Sequence, residues 1–488
     1  MSWLDQAIAA ISPQMALRRQ MARIRLAQSQ RLYDSVATSN LRPRRGSNAS
    51  ADAVMDNAQH QLREYARWLD ENHDLAAGAL DDLVDNIVGC GVGIEPMAKR
   101  ASGEPVADLN QELRALWSAW WERPEITGEV PGPELERLVC RSWLRDGEVF
   151  VQHVNESPGS YQLQPLESDF VPFDLFNQTD NTVHGIVKGR FGRPAAYHVY
   201  KQHPGNVGLL GQALTARLTY DTVLVSAANM SHLKFARRLH QTRGVSILHA
   251  VFTRLDDLKD YEESERVAAH IAASFSAYIK KPDLGDAPTD STTGDRLMEM
   301  APGMIFDNLL PGEDVGVIDA KRPNNDVGNY ISIQERRIAA GIGSRYSSVA
   351  KNYNGTYSAQ RQELVEGAIH YRRLHSYLVH AFYLPVWRRF IDAQRVAGNL
   401  RVPPTIDLRT LYRPEIRQQP LPWIDPKKEI EAHALAVERG FRSRWQVIRD
   451  LGGDPREVDA QLESDEFDVR PDTAATSSNP TDDLEEAA

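Results

Sequence analysis

The 488-residue sequence holds only two cysteines, Cys90 and Cys140. Two thiols build neither a disulfide framework nor a four-cysteine zinc site, and they fit a reducing compartment best. Long hydrophobic runs are missing too. The richest stretch, Ala268 to Ile279, falls short of the roughly 20 apolar residues of a membrane helix and carries His270. Near the N-terminus Asp5 comes early and no apolar core precedes a small-residue cleavage site, so no signal peptide is expected. Catalytic signatures are equally scarce. The chain has no His-Glu-x-x-His, no Gly-x-Ser-x-Gly, no phosphate loop and no EF-hand pattern. Gly89-Cys-Gly-Val-Gly93 closes a predicted helix instead of opening one, and no lysine follows at phosphate-loop spacing. The fourteen histidines are scattered, and pairs such as His198/His203 and His370/His375 lack a third ligand at metal spacing. Adjacent carboxylates, Asp256-Asp257 and Glu262-Glu263, fall on a predicted helix surface, where a solvated face is expected. No catalytic residue, metal ligand or cofactor is assigned, which weighs against an enzyme.

What is present is an ordinary mixture, 42% hydrophobic and 25% charged, that excludes a fibrous or wholly disordered chain. The length suggests about three domains. The net charge of −11 is distributed unevenly. Residues 1–45 carry +6 through eight arginines, residues 450–488 carry −11, and the middle carries −6. Basic arms and acidic tails often serve as interaction segments.

Along the chain, helical periodicity without a rich apolar face covers 2–34. An amphipathic helix is predicted over 52–88, with further helices at 108–121 and 134–144. From 147 to 235 the pattern alternates at period two between Gly, Pro and Asn signals, which reads as an antiparallel sheet. Helices, then strands, then helices argue for an α+β chain without βαβ alternation. A helix is predicted over Arg254 to Lys281, charged in its first half and rich in small residues afterwards. Ala268, Ala269, Ala272, Ala273 and Ala277 permit close helix approach, either to a neighbouring subunit or to the chain's own next helix. A Gly/Pro/Asp-rich excursion over 282–325 precedes a second helix over Val327–Ile342. Two helices flanking one excursion make a stalk with a head. A polar loop follows at 343–357, then a long helical pattern over 358–396 that Pro385 should kink. A strand is expected at Thr405–Leu408, then two short helices over 426–439 and 443–451, and an acidic tail expected to be disordered.

Two segments have the composition to touch nucleic acid. One is the basic arm, with Arg42, Arg44 and Arg45. The other is the loop holding Arg345, Tyr346, Lys351, Asn352, Tyr353 and Asn354. Basic groups contact phosphate without reading sequence, and amide or phenol groups contact sugar and phosphate in the same way. Residues 438–458 look superficially like a helix-turn-helix, but acids at 450, 454, 457 and 459 oppose entry into a DNA groove.

Several long stretches resemble the lambda-type portal proteins of tailed bacteriophages. They are Arg63-Glu-Tyr-Ala-Arg-Trp-Leu-Asp and its continuation to Gly89, Gln241-Thr-Arg-Gly-Val-Ser, Leu255-Asp-Asp-Leu-Lys-Asp-Tyr-Glu-Glu-Ser-Glu, and Leu309-Leu-Pro-Gly-Glu-Asp. The strongest are Tyr353-Asn-Gly-Thr-Tyr-Ser-Ala-Gln-Arg-Gln-Glu and Trp423-Ile-Asp-Pro-Lys-Lys-Glu, the latter followed by Gly440 and Gly453-Asp454-Pro455. They lie in the family's order from about residue 50 to 465. The resemblance implies an elongated α+β subunit: a basic N-terminal arm at 1–48, a mixed α/β wing at 49–253 and a first stem helix at 254–281. A small α/β clip at 282–325 and a second stem helix at 326–342 follow. The remainder maps to a tunnel loop at 343–357, a long kinked helix returning to the wing at 358–424, a helical crown at 425–462 and the tail at 463–488. It also implies a twelve-membered ring at one capsid vertex of the virion, assembled in the host bacterial cytoplasm and passing double-stranded DNA. The implied partners are further copies of the chain, the terminase large subunit, the head-to-tail adaptor and the major capsid or scaffolding protein, with no membrane. Many relatives carry an aspartate in the tunnel loop where this chain has Lys351-Asn352. Two rival readings are a minor capsid or adaptor protein without a DNA channel and a soluble α+β hydrolase.

Overall fold

The computed structural model describes residues 49–56, 58–206, 221–273, 277–280, 314–317, 326–417 and 426–464. The basic arm with Arg42, Arg44 and Arg45, most of the 282–325 excursion and the tail beyond residue 464 lie outside the described residues. The chain divides into two units, Met1–Val54 and Met55–Ala488. The described part of the first enters a one-turn helix, Ala51–Met55. Everything below concerns the second.

The helix predicted over 52–88 is broken: beyond the one-turn helix it forms α1 (Gln59–Asn72) and α2 (Asp74–Ile87). His73 turns extended between them, and its Nε2 lies 3.1 Å from the carbonyl oxygen of Leu255, far along the chain. The inner face of α2 buries Ala76, Ala79, Leu80, Leu83, Val84 and Ile87 at the three- and four-residue spacing of an amphipathic helix. A short strand β1 (Ile94–Glu95) precedes α3 (Ala107–Trp121) and α4 (Gly132–Asp146). Gly147 ends α4 at φ 86°, where a Cβ would lie 2.2 Å from the carbonyl carbon of Val245. Only glycine fits that corner.

The sheet expected over 147–235 is two sheets. Strands β2 (Glu148–Val154) and β3 (Gln162–Leu166) form a three-stranded sheet with β8 (Met230–Lys234), in the order β3-β2-β8. Strands β4 (Thr182–Val183), β5 (Ile186–Lys188), β6 (Pro194–Tyr200) and β7 (Thr222–Ser226) form a meander, and every pair is antiparallel. Successive side chains of a strand point to opposite faces. Accordingly β2 sends Val149 and Val151 into the main core, with Trp143, Phe382 and Trp387, and Phe150 into a smaller one with Ile186, Tyr197 and Val225.

Between these cores lies a buried ion pair. Arg243 donates Nε to Glu148 Oε1 at 2.8 Å, and its other nitrogens reach the carbonyls of Ser168, Val171 and His184. Glu148 Oε2 also accepts the Gly244 amide at 2.9 Å and lies 3.1 Å from His232 Nε2. Burial alone would raise the Glu148 carboxyl, but Arg243 and His232 hold it well below the usual carboxylate range. A Cβ on Gly244 would meet the Gly147 oxygen at 1.9 Å. The Gln241–Ser246 stretch is therefore the clasp that joins both sheets.

Helix α5 (Phe252–Ala273) stops short of the predicted Lys281, which corrects the helical assignment of Ala277. Ala277 opens strand β9 (Ala277–Lys280), paired antiparallel to β10 (Asp314–Val317) with Ala277 opposite Val317. Tyr278 and Ile279 favour a strand over a helix interior, and a long-range partner settles the choice. Helix α6 (Val327–Ile342) has the predicted bounds. Tyr261 meets Tyr330 with ring centroids 4.6 Å apart and Arg254 bonds Gln334, so α5 and α6 run antiparallel. Then come α7 (Tyr357–Leu378), one wide π-turn (Val379–Tyr383) and α8 (Leu384–Ala397). The widened turn lies directly before Pro385, whose ring excludes the normal hydrogen bond to Ala381. The strand expected at Thr405–Leu408 reduces to one bridge, Ile406 to Arg100, before a helical turn that Asp407 caps. Strand β11 (Glu415–Ile416) pairs with β1. Three helices follow, α9 (Pro426–Glu438), α10 (Arg444–Asp450) and α11 (Pro455–Ser464). Periodicity reveals the first two, whereas the polar α11 is missed. Among the described residues no helix is long and apolar enough to cross a membrane.

Candidate DNA-facing loop

The loop between α6 and α7 begins at Gly343, whose φ of 76° ends α6 and whose missing Cβ leaves room for the His370 ring, 2.7 Å from where that carbon would lie. Ser344 and Arg345 then turn inward onto Asp82, a buried acid on α2. Ser344 Oγ donates to Asp82 Oδ2, the Tyr371 hydroxyl donates to the same oxygen at 3.0 Å, and Arg345 Nη2 stands 3.6 Å from Oδ1. Arg345 also donates to Asn86 Oδ1 at 3.1 Å, and its guanidinium lies over the Tyr371 ring at 5.4 Å. Gly367 on α7 makes this possible, because a Cβ there would come within 2.8 Å of Arg345 Cγ. Burial, and then the charge of Asp82, push the Tyr371 hydroxyl above its ordinary range, so it remains a donor.

Arg345 is thus turned inward within the chain. Its side chain is 13% exposed and committed to three partners from α2 and α7. Tyr346 is also drawn in: it packs against the main core, Arg336 covers its ring at 4.9 Å, and its hydroxyl accepts from Asn352 Nδ2 at 3.1 Å. The short helix Tyr346–Val349 is pinned by the Ser347 amide, which donates to Glu363 Oε1 at 3.0 Å.

The tip behaves differently. Lys351 sits at φ 50°, a left-handed corner, and is exposed. Asn352 holds the corner: its amide donates to the Ser347 carbonyl at 3.1 Å and its Oδ1 accepts from the Asn354 amide at 3.2 Å. Asparagine tolerates such turns because its side chain bonds the backbone two residues on. Tyr353 is 61% exposed and Asn354 is exposed. Thr356 caps α7 through the Ala359 amide at 3.3 Å. The six sequence-nominated residues thus divide into a buried root, Arg345 and Tyr346, the hinge residue Asn352, and an exposed tip of Lys351, Tyr353 and Asn354. Asp82, Asn86, Gly367 and Tyr371 were not nominated. The one available signal was Asp82, an acid at the edge of the apolar stripe of α2.

Of the nominated alanines, Ala268 and Ala269 are half-buried on α5, and the side chains of Ala272, Ala273 and Ala277 lie outside the described residues. Helices α9 to α11 attach to the rest through Asp454, whose Oδ2 meets Arg114 at 2.6 Å and Arg417 at 3.7 Å, and through Arg361 with Glu429. Among the described residues, one trio has the proximity of metal ligands: Glu167, Asp169 and His203. Arg67 Nη2 already stands 2.7 Å from Asp169 and 3.4 Å from Glu167, so an arginine supplies the cation there.

The model of the lambda family of phage portal proteins matches residues 38–374. A probable portal protein of Halomonas phage phiHAP-1 is 24% identical over 437 residues, covering 86% of this chain and 83% of its own. Among solved structures, a chain in the neck of a native gene transfer agent particle, computed with C12 symmetry, aligns at TM-score 0.47 and 14% identity, over 80% of this chain and 94% of that one. The virion of the native gene transfer agent gives TM-score 0.44 at 15% identity, over 81% and 94%. With its family model matched over more than half its length, the chain belongs to the lambda family of phage portal proteins.

Proposed function

We propose that the chain assembles into a closed twelve-membered ring at one capsid vertex of a phage particle, and that double-stranded DNA passes through it during packaging and ejection. On this reading the ring docks the terminase large subunit first and the head-to-tail adaptor afterwards, beside the major capsid or scaffolding protein. The family match over residues 38–374 carries the reading. The role is mechanical, with no bond made or broken by the chain.

A channel must guide DNA without holding it. Affinity for the duplex rises steeply with the number of phosphates neutralised, so a wall of fixed lysines would stall translocation. Twelve copies at −11 each carry −132, which repels DNA from most of the surface. Lys351 at the loop tip offers one cation per subunit, and Tyr353 and Asn354 offer neutral polar contact to the sugar-phosphate backbone. The contact is sequence-blind. Arg42, Arg44 and Arg45 of the arm offer a second, similar contact. Ala268, Ala269, Ala272, Ala273 and Ala277 allow close approach of a neighbouring subunit.

Negative-stain class averages of the purified protein test this. Rings with an axial hole wide enough for a duplex are expected. Monomers or small oligomers at every concentration would refute the ring, and particles without a hole would favour an adaptor or minor capsid role.

A further inference from the structure

Helix α5 is contacted on two flanks. Asp256 bonds Tyr65 and Lys259 covers the Trp68 ring on one side, while Arg254 and Tyr261 meet α6 on the other. Between the flanks runs an exposed strip with Asp257, Asp260 and, further along the helix, Val267, which is 49% exposed. Among the described residues no cation lies within ion-pairing distance of Asp257 or Asp260. Helix α6 has a matching strip between Tyr330, which faces α5, and Arg336, which covers Tyr346. It exposes Ile333, 40% exposed, and Arg337, with Arg336 at its edge. No acid pairs with Arg336 or Arg337 among the described residues.

We infer that the exposed strip of α6 in one copy docks on the exposed strip of α5 in the next, with Arg336 and Arg337 facing Asp257 and Asp260. This rests on the ring reading and names the surface that closes it. Charge complementarity selects the occupant. Two α5 strips brought together would oppose acid to acid, and two α6 strips arginine to arginine. The α6 strip of another copy answers the α5 strip in charge, and Ile333 and Val267 supply an aliphatic contact beside the ions. When each copy presents α5 to one neighbour and α6 to the other, the contact is heterologous, and repeated around an axis it closes into a ring. Ion pairs of this kind set register and partner choice more than raw affinity.

The test uses the full-length chain and mass photometry at constant protein concentration, with circular dichroism to verify that each variant folds. The variants are D257R/D260R, R336D/R337D and the milder D257N/D260N. Each reversal alone should lower the ring fraction at least tenfold at low salt, with the neutral pair intermediate. An equimolar mixture of the two reversed proteins should restore rings, because every interface in an alternating ring is again opposite in charge. Parent-level ring yield from either reversal, or a mixture that stays monomeric, would overturn the inference and leave the ring reading standing. A parent protein that never forms rings would overturn both.

Discussion

Replacing Glu136 with glutamine should change how stability depends on pH, and the structure sets the size of the change. Glu136 lies on α4, completely buried beside Cys140. Its Oε1 accepts the Val92 amide at 2.7 Å and its Oε2 accepts the Tyr383 hydroxyl at 2.6 Å. Two donors favour the carboxylate, but burial without a cation outweighs them and pushes the group up to about 8. In the unfolded chain the carboxyl titrates near its ordinary value of 4.5. Between these values the folded state holds a proton that the unfolded state has lost, so stability falls as pH rises through the window and levels off above it. Roughly 3.5 pH units at 1.36 kcal/mol each set a ceiling of about 5 kcal/mol on the loss. Glutamine is neutral at every pH and can still accept from Val92, but Tyr383 must then accept instead of donate, at a cost of about 1 kcal/mol. Parent and variant should therefore be close in stability at pH 5, with the variant the more stable by several kcal/mol at pH 9. Denaturant unfolding at fixed protein concentration measures this, since a change in oligomer would otherwise shift the midpoint. A parent-minus-variant difference that stays flat from pH 5 to 9 would refute the reasoning.

Lys351→Gln should leave ring yield and melting unchanged, while the log–log salt slope for binding a short duplex drops by about 1 for each phosphate that is no longer neutralised. An unchanged slope would remove Lys351 from the DNA path. Arg345→Ala should do the reverse, with an unaltered salt slope and a stability loss of about 1–3 kcal/mol in denaturant as Asn86 loses a donor and Asp82 loses its counter-charge. Arg243→Met should be far more damaging, because it removes the arginine cation from the fully buried Glu148 and leaves it only His232 and neutral donors; about 3–5 kcal/mol is expected from urea titration, and a smaller loss than in Arg345→Ala would contradict the clasp.

Local patterns were legible where local physics decides the outcome. The bounds of α6 follow from its periodicity and from Gly343, and the irregularity before Pro385 follows from the missing amide of proline. The alternation of β2 was readable as well, although one strand feeding two separate cores was not, because that depends on which strands flank it. Misreadings came from distant partners. Nothing near His73 announces the break between α1 and α2, because its ring answers to Leu255. The small-residue run past Ala273 reads as a continuing helix, yet β10 draws Ala277–Lys280 into a strand. The loop at 343–357 was found by composition and resemblance, but its internal division was not visible. Arg345 and Lys351 stand six residues apart in one polar stretch, and only distant partners, Asp82 and Asn86 on α2 and Tyr371 on α7, distinguish them.

That division has a mechanical consequence. Asp82 gathers Ser344, Arg345 and Tyr371 at one point, so the base of the loop is welded to α2 and α7 by hydrogen bonds and an ion pair in a largely buried setting. The tip depends on less. Apart from backbone turns, it is held by the Asn352 side chain and by Gln360 Nε2 donating to the Tyr353 carbonyl. Exposed backbone bonds with few apolar contacts open at low free energy, whereas buried networks open only with the surrounding core. A duplex pressing on the tip would therefore deflect Lys351 and Tyr353 before it disturbed Arg345 or α2. On the proposed function, a rigid root would keep the tip aimed at the DNA path, and a compliant tip would keep each phosphate contact brief. An arginine at the tip and a lysine at the root would do worse on both counts, because only the planar guanidinium can bond Asn86, face Asp82 and cover the Tyr371 ring together.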